Sequence, residues 1–213
     1  MSKVRAHISI SLDGYVAGPN QSEENPLGEG GEHLHDWVVA LKAWRELHGM
    51  KGGEENSSSR IVEEEKANVG AEIMGRGMFG PPGGGAWGDD PWPGWWGDDP
   101  PFHKPVFVLT HHRRESLTLS DTTFTFVTDG VEAALARARE AAGDKDVFIS
   151  GGASIINQYL AAGVVDEVEL HVVPIIQGGG ARLFEGIGSE LRLEQVRAVE
   201  APEVAHLTYR VVK

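Results

Sequence analysis

The stretch from Asp146 to Ile176 constrains the fold of this chain more than any other. A short apolar run, Asp146 to Ile149, leads to Gly151-Gly152, then to a helical pattern over Ser154 to Ala162 that stops at Gly163, then to a second run from Glu167 to Ile176. Strand, glycine turn, helix and strand in that order make a βαβ unit. Its parallel strands and right-handed crossover set the helix N-terminus at the carboxyl edge of a sheet. The fold class is therefore α/β.

Other segments extend the sheet. Val4 to Ser11 alternates apolar and polar residues before Asp13-Gly14 and reads as a strand closed by a tight turn. After a Gly/Pro/Asn-rich loop to Gly31, Trp37, Val38, Leu41, Trp44 and Leu47 fall at helical spacings and predict one helix. Gly49 to Ser59 has no large apolar residue beyond Met50 and reads as a flexible loop, with Ser58 or Ser59 capping a helix over Arg60 to Val69. Ala71 to Gly75, Pro105 to Thr110 and Thr123 to Val127 read as strands, and Val131 to Ala142 as an Ala-rich helix ended by Gly143. Glu190 to Val199 and Val204 to Val212 are two more strand candidates. About eight strands with helices between most of them predict one domain spanning residues 1–213, built on a mixed sheet.

The segment from Gly80 to Lys104 stands apart, with seven glycines, six prolines and four of the six tryptophans. The pentapeptide Trp-Gly-Asp-Asp-Pro occurs in it twice, at Trp87 to Pro91 and Trp96 to Pro100. So many breakers exclude helix and strand, while four indoles are too apolar for a solvated linker. The segment reads as an ordered loop, packed by its own tryptophans, over a cleft.

Charge limits the partners. Nineteen basic against 32 acidic residues give a formal charge of −13, a field that repels phosphate backbones and anionic membranes. Nucleic acid and membrane are not expected partners, and an anionic cofactor needs a local cluster of donors. The absence of cysteine excludes disulfides, thiolate metal sites and a cysteine nucleophile, and is compatible with a cytoplasmic location. No run of 18 apolar residues occurs, and Arg5 and His7 interrupt the first apolar segment, so neither a membrane span nor export is expected.

Three places have the composition of a ligand site. Ser150-Gly151-Gly152-Ala153-Ser154 joins a strand to a helix; two glycines allow an anion close to the backbone, and the uncapped helix start favours phosphate. A tight packing turn explains a lone Gly-Gly equally well. Met74-Gly75-Arg76 puts a guanidinium at a strand end, suited either to a phosphate or to a surface ion pair, and Thr110-His111-His112-Arg113-Arg114 is the densest positive patch. Ser9 to Gly18 surrounds a turn with small and apolar residues that suit a flat ring, or a plain hairpin.

Together these motifs resemble the dihydrofolate-reductase-like superfamily. Ser-Leu-Asp-Gly-Tyr-Val-Ala-Gly (Ser11 to Gly18), Ile-Met-Gly-Arg (Ile73 to Arg76), Val-Leu-Thr-His (Val108 to His111), Gly-Gly-Ala-Ser-Ile-Ile (Gly151 to Ile156) and Val-Asp-Glu (Val165 to Glu167) occur in that family's order. The branch most resembled is the bacterial riboflavin-biosynthesis reductase domain, RibD C-terminal-like, with its stand-alone relatives. The resemblance implies a mixed sheet of about eight strands flanked by helices, and an NADPH-dependent reductase acting on a small pyrimidine- or pteridine-like heterocycle. It assigns Arg76, Thr110 and His111, with His112 and Arg113 as additions, to the adenosine 2′-phosphate, and counts Gly75 among the cofactor-binding residues. Gly151, Gly152, Ala153, Ser154 and Ile155 fall to the diphosphate turn, and Ser9, Val16 and Ala17 to the nicotinamide wall.

The same resemblance limits the substrate. Dihydrofolate reductases hold the pterin with a helix carboxylate before the Ile-Met-Gly-Arg strand, and the counterpart here lies near Ser58 to Arg60, which offers no acid. Asp13, in the turn beside the nicotinamide wall, is the candidate catalytic acid, with turn capping as the competing role. A 5-amino-6-(5-phosphoribosylamino)uracil reductase-like activity is expected ahead of true dihydrofolate reduction. The alternative outside catalysis is a nucleotide-binding or interaction protein that docks a partner through the Trp-rich loop. No metal is expected: His33 and His35 are two apart and share no helix face, and Asp89, Asp90, Asp98 and Asp99 lack calcium-loop spacing. An unprotected sheet edge in the Glu167 to Val212 region predicts a homodimer.

Overall fold

The computed structural model describes residues 2–213 except Asp90 and Ser189. Strand β1 (Val4–Ser11) runs into a turn and the short β2 (Tyr15–Ala17). A 3₁₀ turn (Gly31–His35), α1 (Asp36–Val39) and α2 (Lys42–Leu47) lead to α3 (Ser57–Ala67), β3 (Val69–Gly75) and the single turn α4 (Arg76–Phe79). Then come β4 (Pro105–Leu109), β5 (Leu117–Leu119), β6 (Thr122–Val127), α5 (Val131–Ala142), β7 (Asp146–Gly151) and α6 (Ala153–Ala161). The chain closes with β8 (Glu167–Val173), β9 (Ala181–Arg182), β10 (Arg192–Ala201) and β11 (Val204–Val212).

Nine strands form one mixed sheet in the order β10-β11-β8-β1-β7-β3-β4-β6-β5, while β2 and β9 pair separately. The six strands from β8 to β6 are mutually parallel, and antiparallel strands flank them at both edges. The βαβ unit read from the sequence spans β7, α6 and β8, with β1 inserted between the two strands. Alternation along β1 sends Val4, Ala6, Ile8 and Ile10 into the main core and Arg5, His7, Ser9 and Ser11 to the opposite face. Helix α5 meets that core through Ala134, Leu135, Ala138 and Ala142. It lies so close to β3 that a Cβ at Gly70 would stand 2.7 Å from the Ala142 backbone. Tyr159 of α6 is buried in the same layer and donates its hydroxyl to the Val131 carbonyl at 2.8 Å.

The structure departs from the sequence expectations where long-range contacts outweigh local pattern. The single helix expected over Trp37 to Leu47 is two, because Leu41 is extended at ψ 140° and bridges to Glu54. That bridge, with Glu54 donating to the Ala40 carbonyl, ties down the loop read as flexible. Helix α3 starts at Ser57 and is capped by Asn56, whose side chain accepts the Ser58 N–H while Ser59 returns a bond to Asn56. Ser58 and Ser59 therefore lie inside the helix. The strands β2, β5 and β9 are only two or three residues long and carry no readable periodicity.

No helix or strand interrupts the described residues between Phe79 and Pro105. Trp87 packs edge-on against Phe79 and Phe126, Trp96 against Phe102, and Trp92 against Trp95. With Val106, Val108 and Phe124 these rings, Trp95 apart, form a second core on the sheet face opposite α5. Asp90, one of the acids considered for calcium, lies outside the described residues. Among the described residues, no helix is long and apolar enough to cross a membrane.

Candidate active site cleft

Parallel strands deliver their carboxyl ends to one edge, and there the ends of β3, β4 and β7 meet the start of α6 around a cleft of about 890 Å³. Gly152 is the N-cap of α6 with no side-chain cap. The first amide groups of the helix thus open toward the cleft, which Gly152, Ala153, Ser154 and Ile155 line. Gly152 has φ −73° and a Cβ there would meet nothing within 4 Å. The positive φ of +116° falls on Gly151 instead, which turns the chain behind the wall and does not line the cleft. Gly75 serves close packing: its Cβ would approach Ile155 Cγ1 to 2.6 Å.

The ionisable side chains lining the cleft are Arg76, His35, His111 and His112, and no carboxylate is among the described lining residues. In a chain of charge −13 this is a strong local reversal. Arg76 lies flat over Trp87, its guanidinium 3.7 Å from the ring centroid, and donates to the Gly80 and Pro81 carbonyls. Its Nε is buried with no hydrogen-bond partner. Arg114 stacks on the other aromatic faces of the same cluster, 4.7 Å from Trp87 and 4.6 Å from Phe126. Burial and the neighbouring Arg114 charge both lower the Arg76 pKa. The Trp87 indole donates to the His112 carbonyl at 2.9 Å, joining the Trp-rich loop to the β4 end.

At the other end the cleft is apolar, with Ile8, Val16, Ala17 and Leu27 on one side and Trp95 and Trp96 on the other. The loop read as packed over a cleft does contribute to its walls. His35 also faces this space, a residue the sequence reading considered only as half of a metal pair. Its Nδ1 is buried without a partner and desolvation lowers its pKa, so it enters the cleft as a neutral imidazole. The signal in the sequence was weak, because the 3₁₀ turn that aims it has no periodic pattern.

Three of the residues singled out are turned elsewhere. Ser9 is on the opposite face of β1, buried, and accepts the Trp37 indole N–H at 3.1 Å. Asp13 accepts from the Ser11 hydroxyl at 2.7 Å and from the backbone N–H groups of Gln177 and Gly178 at 2.9 and 2.7 Å. The Ser11 bond leads those that hold its carboxyl down at about 2, so Asp13 anchors two loops and is not among the residues that line the cleft. Arg113 is exposed outside the cleft. Ser58, the approximate counterpart of the pterin-binding acid, is also on the far face, bonded to His206.

The sequence pattern of the RibD C-terminal domain family matches residues 2–207. The chain belongs to that family. It is 28% identical over 89 residues to "Uncharacterized protein YwjB" of Bacillus subtilis (strain 168), which is 42% of this chain and 51% of that protein. To "Uncharacterized protein YyaP" of the same organism it is 29% identical over 102 residues, 46% of this chain and 54% of that one. The matched region thus spans about half the length of these curated relatives. Among solved structures, a "Putative riboflavin biosynthesis protein" from Shewanella sp. PV-4 superposes with a TM-score of 0.62 at 20% identity, covering 99% of both chains. The Saccharomyces riboflavin biosynthesis reductase Rib7 gives 0.56 at 12%, covering 99% of this chain and 90% of its own. Enterococcus faecalis dihydrofolate reductase complexed with NADP(H) gives 0.50 at 15%, covering 99% and 97%. At these identities the likeness is one of fold. The sheet of this RibD C-terminal domain family member has the dihydrofolate-reductase-like fold.

Proposed function

We propose that this RibD C-terminal domain protein is an NADPH-dependent reductase that passes a hydride to a small, uncharged or anionic heterocycle of the pyrimidine or pteridine class. The observation that carries the reading is the cleft's donor set: a free helix start, one arginine and three imidazoles, with no carboxylate among its described lining residues. A dinucleotide with a diphosphate and a 2′-phosphate matches that set, whereas the bulk field of the chain opposes any anion placed elsewhere. Gly152 to Ile155 would hold the diphosphate, Arg76 with Thr110, His111 and His112 the 2′-phosphate, and Val16 and Ala17 the nicotinamide. The cofactor, when bound, supplies the hydride. The protein's own part is to position two rings between Val16, Ala17, Trp95 and Trp96, to exclude water with the Trp-rich loop, and to offer the His35 imidazole to a polar substrate atom.

A folate substrate is disfavoured, because the carboxylate that would hold a pterin cation has no counterpart among the described residues lining the cleft. Calorimetric titration with NADPH and NADH, followed by an NADPH-oxidation screen over pyrimidines, pteridines and quinones, tests the proposal. Tight NADPH binding with turnover supports it; equal affinity for both cofactors overturns the 2′-phosphate assignment, and binding without turnover leaves a nucleotide-binding protein. We further propose a homodimer. Edge strand β10 is guarded by a bulge between Gln195 and Arg197, so the patch favoured for pairing is that of the exposed Leu12 and Ile176, whose loops are joined by the Leu12 N–H to Ile175 carbonyl bond. Light scattering that returns a mass near 23.0 kDa at micromolar concentration would contradict it.

A further inference from the structure

The polar cluster on the other face of the sheet is used by nothing in the cleft. His7 of β1, Glu65 of α3 and His171 of β8 point at one another, and one ligand atom from each lies within 4.8 Å of the other two. His171 Nε2 is 3.3 Å from Glu65 Oε1, and His7 Nδ1 is 4.0 Å from Glu65 Oε2. Glu169 of β8 adds an orphan: Oε1 is held by Arg5, while Oε2 is buried with no hydrogen-bond partner. Glu65, Glu169 and His171 are only 7%, 5% and 4% exposed. They also line a second cavity of about 360 Å³ that opens between α3 and β11.

We propose that His7, Glu65 and His171 bind a divalent transition-metal ion of the zinc class. Two imidazoles and carboxylate oxygens are the donor set of such an ion. Adjacent donors of a tetrahedral site with bonds of about 2.0–2.1 Å stand about 3.3–3.4 Å apart. The His171 to Glu65 separation has that value already, and the His7 to Glu65 gap closes with a small side-chain rotation. Arg5 is shared among Glu169, Glu167 and Asp146. The ion-pair contacts of Glu65 among the described residues are the two histidines alone. The cluster therefore carries more carboxylate than cation, which a divalent ion corrects.

A supporting shell is built in as well. His171 Nδ1 is 2.9 Å from His206 Nδ1, and His206 Nε2 is 2.9 Å from the Ser58 hydroxyl. With His171 Nδ1–H donating to His206, and His206 Nε2–H donating to Ser58, the Nε2 of His171 presents its lone pair to the site. This is the outer hydrogen bonding by which metal-bound histidines are oriented.

The test uses the full-length chain, stripped with a chelator and titrated with zinc chloride by calorimetry, with cobalt(II) chloride absorption as a second reading. One ion per chain, micromolar or tighter, with a raised melting temperature and cobalt ligand-field bands, is expected. Glu65→Gln and His171→Ala should each weaken binding at least a hundredfold, and His7→Ala at least tenfold. His7→Ala is the fallback if the other two fail to fold, since His7 is the most exposed ligand. Asp121→Asn removes one member of the exposed Asp99, His103, Asp121 group and should change nothing. Absence of stoichiometric binding, or binding lost only in Asp121→Asn, overturns the proposal and leaves Glu65 and Glu169 as a pair sharing a buried proton.

Discussion

The two pockets of this molecule, one at the carboxyl ends of the parallel strands and the other on the sheet face opposite α5, are chemical inverses. The cleft at the carboxyl ends of β3, β4 and β7 is lined by arginine, imidazole and free amide groups without a described carboxylate, while the second cavity gathers Glu64, Glu65, Glu167 and Glu169 around histidines. A net charge of −13 describes neither. Strand β1 makes the separation possible, since alternate residues serve different pockets: Ile8 lines the cleft and His7 and Ser9 serve the other face. Total charge predicts the field far from a protein, and the period-two alternation of a central strand decides what a ligand meets.

Damage to the cleft should leave the second cavity intact. The largest effect is expected for Gly152→Val. Position 152 has an ordinary extended backbone and open space around it, so the variant should fold with a cooperative transition. The valine methyls would occupy the space where phosphate oxygens meet the α6 amides, and NADPH affinity should fall by at least about a hundredfold, roughly 3 kcal/mol. Unchanged calorimetric affinity would show that the turn is a packing feature only. Zinc binding on the other face should be unaltered in this variant.

Next in size is Arg76→Ala. Loss of a charge-assisted phosphate contact removes about 1.5–3 kcal/mol, or roughly tenfold to a hundredfold in NADPH affinity, with NADH binding nearly unaffected. The guanidinium also stacks on Trp87, so Arg76→Lys is the sharper variant: it keeps the charge and gives up the planar fork. An equal loss for both cofactors would mean that Arg76 acts only by holding the Trp-rich loop. A smaller effect is expected for Tyr159→Phe, which removes the bond to the Val131 carbonyl between α6 and α5. Stability should fall by about 1 kcal/mol, with both pockets unchanged; a shift in NADPH affinity would show that α6 is positioned from its far side.

What could be read from the sequence follows the same division. The strand and helix boundaries at Val4 to Ser11, Val131 to Ala142 and Val204 to Val212 coincide with the elements found, because each buries a face with a clean period and ends at glycine or a turn. Part of the cleft wall was legible too, since Gly75-Arg76, Thr110-His111-His112 and Gly152 to Ile155 lie at strand ends, where parallel topology must gather them. The opposite cluster was not. His7, Glu65, Glu169, His171 and His206 come from four elements far apart in the chain, and only the insertion of β1 beside β8, with α3 across them, brings them together. Glu65 in particular looks like one more residue of a solvated Glu63-Glu64-Glu65 run, and helix phase alone turns it inward while Glu63 and Glu64 stay outside.

Asp13 gives the smallest expected effect and the finest test of the boundary between site and scaffold. As an anchor receiving Ser11, Gln177 and Gly178, it should lower the melting temperature slightly when changed to alanine, and leave the turnover number within about twofold, well short of the 10²–10⁴-fold that a proton donor contributes. The pH dependence separates the roles further. Its carboxyl is lowered from 3.8 to about 2 in the folded chain, so the unfolded chain binds more protons between those values and stability rises with pH there. The anchor's contribution is complete above about pH 3.8 and is lost as pH falls through about 2. The melting-temperature difference between the wild type and Asp13→Ala should accordingly be constant from pH 5 to 8 and shrink in strong acid. A turnover profile that loses a limb near neutrality in Asp13→Ala would return this residue to the chemistry and remove it from the scaffold.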